Sequence, residues 1–150
     1  MARIVFDLPD RFGFATELQV YISHVNQGGH LDHAQLISLV SEARLRFFRA
    51  LGYREGQIDG TAVVVGDLLA QYKSEAFHGE TLRIRMQPAD FNRYGFDLVF
   101  CMTELTQGRE VARGKTGIVF IDAVTRKVTP IPDRMRRQLV ACAQGPGVVP

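Results

Sequence analysis

The chain has 150 residues, 46% of them hydrophobic, and a net charge of +2 from 18 Lys and Arg against 16 Asp and Glu. That length suits one domain, residues 1–150, with a core of its own, and the average composition excludes a disordered or fibrous chain. So small a charge, with both signs mixed along the chain, points to no nucleic-acid partner, and no stretch reaches the ~18 apolar residues of a membrane span.

The first residues, MARIVFDLPDRFGF, carry neither a long apolar run nor a small-residue cleavage pattern, so a cytoplasmic setting is expected. Cys101 and Cys142 are far apart and lack metal-like spacing; Cys101, inside a strand pattern, reads as a buried inert thiol.

Residues 16–25 alternate. Leu18, Val20 and Ile22 face one way and Glu17, Gln19, Tyr21 and Ser23 the other, the pattern of a half-buried strand. The same pattern sets His24 with Ile22, as an interior or interface residue. Asn26, the pair Gly28-Gly29, His30, Asp32 and His33 then crowd the junction with the next element. The glycines permit a tight turn, with positive φ where required, and close approach of a ligand to the backbone. Asp32, with Gln35 three residues on, fits a capping box.

Leu36, Leu39, Val40, Ala43, Phe47 and Leu51 follow at helical spacing, and Ile37, Leu45 and Phe48 widen the apolar surface beyond one stripe. A helix this apolar calls for wrapping by other elements; Gly52 stops it. If Asp32 is the cap, His33 is the first helical residue, and its backbone N–H has no partner within the helix.

Beyond Gly60 the chain reads as strands: residues 61–71, an alternating stretch around Leu82, Ile84 and Met86, a face of Phe96, Leu98, Phe100 and Met102, and residues 111–121. Turns fall at His78-Gly79-Glu80, residues 92–95 and Thr106-Gln107-Gly108. A short helix over residues 133–143 follows Pro132, with Arg134, Arg136 and Arg137 on its solvated face, and residues 144–150 read as a frayed tail. Short connections imply antiparallel neighbours, so the predicted class is α+β: a sheet of about five strands curled around one long helix.

This arrangement resembles the hotdog fold, and more narrowly the 4-hydroxybenzoyl-CoA thioesterase-like branch of acyl-CoA thioesterases. The resemblance rests on HVNQGGHLDH (residues 24–33), Ser41-Glu42-Ala43-Arg44, Phe47-Phe48, Tyr72-Lys73-Ser74, GETL (79–82), YGFDL (94–98) and ARGKTG (112–117), in order. It implies hydrolysis of an acyl-CoA or acyl-carrier-protein thioester, a homodimer or homotetramer with sites at the subunit interface, and neither metal nor cofactor. It implies an oxyanion donor in the His33 N–H, and a binding surface from Gly28, Gly29 and His30.

One position departs from the pattern. Many relatives carry an Asp, acting as nucleophile or base, where this chain has Asn26, and a carboxamide has no basic oxygen. Asn26 is left to orient the thioester or a water. By analogy with other hotdog thioesterases, a carboxylate on the long helix replaces it, in a register that falls on Glu42 or on Ser41. Glu42 has a plainer use as well, an i,i+4 pair with Arg46. Two other activities suit the same scaffold: acyl-CoA binding without turnover, and enoyl-thioester hydration, which needs a His beside a carboxylate.

Overall fold

The computed structural model describes residues 3–54 and 57–148. Six strands form one antiparallel sheet: β1 (Phe14–Gln19), β2 (Gln57–Ile58), β3 (Thr61–Tyr72), β4 (Thr81–Ala89), β5 (Gly95–Glu104) and β6 (Glu110–Asp122), in the order β1-β4-β5-β6-β3-β2. Helix α1 (His33–Ala50) lies in the curl and α2 (Asp133–Gln144) packs nearby. This is the hotdog arrangement.

The strand count exceeds the expected five because of β2, whose two described residues pair with Thr61 and Ala62. The first strand is shorter than expected. β1 ends at Gln19, and Ile22–His24 forms a 3₁₀ turn in which the Tyr21 N–H donates to His24 Nδ1 at 3.0 Å. The alternation continues past the strand, so Ile22 is 73% exposed instead of buried. His24 is half-buried and stacks on Tyr21. The expected frayed tail is docked as far as Val148, whose N–H donates to Phe12 O at 2.8 Å; residues 149–150 lie outside the described residues.

Helix α1 buries Leu36, Leu39, Val40, Ala43, Phe47 and Phe48. Phe47 meets Phe14 of β1 edge-on at 5.6 Å, and Phe48 meets Phe96 of β5 at 6.5 Å. Ile84, Met86, Leu98, Phe100 and Phe120 close the core from the sheet side. Each such side chain contributes about 1.5–3 kcal/mol on burial, which fixes the angle of α1 against the sheet. On the opposite face of the sheet the N-terminal segment lays Phe6, Leu8 and Phe12 over Val99 and Cys101. Cys101 is buried there, and burial pushes its thiol up, away from the reactive thiolate.

Candidate active site at the start of the long helix

The loop before α1 is shaped by its own short polar residues. Asn26 N donates to His30 O at 3.0 Å and Gly29 N to Asn26 O at 3.0 Å, closing a turn in which Gly29 has φ +82°. The Asn26 side chain makes an Asx turn, its Oδ1 accepting from Gly28 N at 2.9 Å. Gly28 serves by lacking a side chain: a Cβ there would lie 3.1 Å from His30 Nε2 and 3.2 Å from Asn26 Oδ1. The two glycines thus divide the work expected of the pair, positive φ at Gly29 and close approach at Gly28.

Asp32 caps α1. Its Oδ2 accepts from Ala34 N at 3.0 Å and Gln35 N at 3.3 Å. Only half of the expected capping box forms, because the Asp32 N–H is already bonded to His24 O at 2.9 Å. With the second and third helical N–H groups capped, that of His33 is left. Among the described residues it has no hydrogen-bond partner. It sits at the positive end of the helix dipole, where backbone donors favour an anion. The His33 carbonyl is tied instead, accepting from Tyr72 Oη at 3.2 Å. Partial burial and, after it, the Asp32 carboxylate push the Tyr72 phenol up, so it stays a protonated donor.

Asn26, His30, His33 and Leu36 line a cavity of about 320 Å³ whose other wall is the end of β3 and the turn after it, Tyr72 to Ala76. His30 Nδ1 lies 3.3 Å from Leu31 O, and its Nε2 lies 3.8 Å from Glu75 Oε1. Lys73 lines the same cavity. Among the described residues no group of three His, Cys, Asp or Glu side chains is placed to hold a metal ion.

Four of the expected positions, Asn26, Gly28, His30 and His33, are therefore brought together, with Gly29 holding the turn. Glu42 is not. At about 100° per residue it projects from the opposite side of α1 to His33. There it pairs with Arg46 Nε at 3.0 Å and faces a separate open cavity of about 540 Å³ beside β1, with Glu17, Tyr21, His24 and Ser38. The alternative register, Ser41, lines neither of these but a third cavity farther along α1, beside Arg44, Phe48 and Val63 of β3. Glu75 was not singled out from the sequence; its approach to His30 depends on the isolated bridge His30↔Phe77, a long-range pairing that no local spacing announces.

The sequence matches the thioesterase-like superfamily over residues 20–139. No curated protein matches it. Among solved structures it is similar to a 1,4-dihydroxy-2-naphthoyl-CoA thioesterase from Synechocystis, at 18% identity over 85% of this chain and 95% of that one, with a TM-score of 0.70. It is also similar to a Staphylococcus aureus protein in complex with CoA, at 15% identity over 91% and 87% of the two chains and a TM-score of 0.82. A gentisyl-coenzyme A thioesterase shares 19% identity over 82% of this chain and 99% of its own, with a TM-score of 0.73. At these identities the solved structures speak for the fold; with the family match over residues 20–139, the chain belongs to the thioesterase-like superfamily.

Proposed function

We infer that the protein hydrolyses an acyl thioester of coenzyme A or of an acyl-carrier protein, with the carbonyl seated at the N-terminus of α1. The observation that carries this reading is the His33 N–H, without a hydrogen-bond partner among the described residues, at the positive end of the helix dipole and on a residue that lines the cavity with Asn26 and His30. A backbone donor in that position stabilises the oxyanion of a tetrahedral intermediate. The likeness to two CoA thioesterases and to a CoA-bound protein supports CoA as the thiol part.

The roles follow from what each side chain has left to give. Asn26 spends its Oδ1 on Gly28 and keeps its amide Nδ2 to orient the thioester or the water. Asp32 is occupied with the cap and Glu42 with Arg46, so neither is carried into this reading as the base. That role falls to His30: an N–H at Nδ1 toward Leu31 O leaves the Nε2 lone pair for the water proton.

The test is thiol release from a panel of aliphatic and aromatic acyl-CoAs and an acyl-carrier protein, with the products identified. Saturable release of thiol and free acid is expected. The carboxamide at Asn26 favours a second reading, acyl-CoA binding without turnover; there acyl-CoA raises the melting temperature and no thioester is cleaved.

A further inference from the structure

Resting on that reading, we propose that Glu75 is the carboxylate of this site, which acts beside His30 on the attacking water and does the work that Asn26 cannot.

Glu75 is far from His30 in sequence and is carried to it by main-chain pairing. Leu31 N donates to Ala76 O at 2.7 Å, and His30 and Phe77 form an antiparallel bridge, so the turn after β3 is stitched to the loop before α1. The turn is held on its other side too. Ser74 N and Oγ donate to Val111 O and Glu110 O at 3.2 and 2.7 Å, and Arg109 donates to the Glu75 carbonyl and, at 2.6 Å, to Glu80 Oε2. Glu80 Oε1 in turn accepts from Phe77 N at 2.6 Å. The Glu75 side chain is 63% exposed, but its backbone is fixed from both flanks, and its Oε1 stands 3.8 Å from His30 Nε2.

That separation is too long for a direct hydrogen bond and short enough for one water to touch both groups. The water donates one hydrogen toward Nε2 and the other toward the carboxylate, which turns its lone pair to the thioester carbon. As the C–O bond forms, its proton passes to Nε2 and the carbonyl oxygen takes the negative charge under the His33 N–H. The imidazolium then has a donor on each nitrogen, toward Leu31 O and toward Glu75. When the C–S bond breaks, the imidazolium returns the proton to the leaving sulfur, giving free acid and thiol with no other reactant. The other charged or titratable groups near His30 are Lys73 and Tyr72 from the end of β3 and Asp32 and His33 from the start of α1. Lys73 is a cation, Tyr72 and Asp32 are engaged at α1, and the His33 ring, edge-on to Tyr72 at 6.3 Å, carries no carboxylate, so none of them substitutes for Glu75.

The experiment compares full-length wild type with Glu75→Gln, Glu75→Ala and His30→Gln on the best acyl-CoA of the panel, with melting temperatures alongside. Glu75→Gln should lower kcat by about 10- to 100-fold, within the range of proton-transfer assistance, with KM and melting temperature unchanged. Added formate should restore part of the turnover of Glu75→Ala and none of that of His30→Gln. A Glu75→Gln enzyme within twofold of wild type, beside an impaired His30→Gln, overturns the role of Glu75 and leaves the hydrolytic reading standing. A loss in Glu75→Gln that comes with a lower melting temperature and no formate rescue also overturns it, since that is a structural effect. A wild type that cleaves no thioester removes the hydrolytic reading and this inference together.

Discussion

At the first residue of α1 the useful group is a main-chain N–H, and the structure offers an unusually clean way to delete it. Proline suits the first helical position because its missing N–H is unpaired there in any case. It also demands an extended preceding residue, which Asp32 already is at φ −66° and ψ 140°. His33→Pro should keep the fold and lower kcat by about 10²–10³-fold, the cost of losing one oxyanion donor. His33→Ala, which keeps the N–H and loses only an exposed ring, should turn over like wild type. Equal kinetics in the two variants would remove the helix N-terminus from the mechanism. At Asn26 the same logic separates loop from chemistry. Asn26→Asp keeps an acceptor for Gly28 N, whereas Asn26→Ala leaves that donor without one, so turnover should fall about 5- to 150-fold in the Ala variant, the range of one lost positioned hydrogen bond.

Between elements, α1 works on two faces. One meets the cavity through His33 and Leu36; the other sends Arg46 to the free edge of β1, where it donates to Thr16 Oγ1 and Glu17 O at 2.9 Å each and to Glu42. Glu42→Gln should therefore leave kcat unchanged and cost no more than about 0.3–0.5 kcal/mol in denaturant unfolding, as for other exposed i,i+4 pairs. The turns at the far ends of β5 and β6 carry a pH dependence. The Gln107 and then the Thr106 N–H hold the Glu104 carboxyl low, hydrogen bonds from Arg113 hold Glu110 low, and the Thr125 and then the Val124 N–H hold Asp122 low. A folded value below the unfolded one means stability present above the ordinary carboxylate range, about pH 4–4.5, and lost as pH falls through the lower folded values. The melting temperature should drop on acidification below that range, with a shallower slope in Glu104→Gln; an unchanged slope would show that the turn carboxylate is not linked to folding. Local patterns made most of these elements legible. The Asp32 cap, the apolar face of α1 and the alternation of β4 and β5 each express a short-range period. The end of β1 and the meeting of Glu75 with His30 were not legible in the same way. They depend on where β3 and its following turn pack, and no window of neighbouring residues contains that.

For the whole molecule, the two edges of the sheet differ in kind. The β1 edge is short and has Arg46 across its carbonyl. β3 is long, bonded to β6 along one side and, among the described residues, to β2 at Thr61 and Ala62 on the other, and it exposes Val64, Val65 and Leu68 at 36, 47 and 45%. The last strand in sequence, β6, lies inside the sheet between β5 and β3. The exposed edge belongs to β3. A long edge with these exposed apolar side chains, despite the bulge between Val65 and Asp67, invites another strand, and a second copy would satisfy it with an isologous antiparallel pairing about a two-fold axis. The same strand ends at Tyr72, on the wall of the cavity at α1, so covering the edge also bears on the site. Sedimentation at micromolar concentration should give a dimer. Val65→Lys with Leu68→Lys, both on the exposed stretch, should give a folded monomer with lower turnover, because like charges meet across the two-fold and the cavity loses its neighbour. Full turnover in that monomer would mean that one protomer holds a complete site, and a monomeric wild type would mean that β3 is no dimer edge at all.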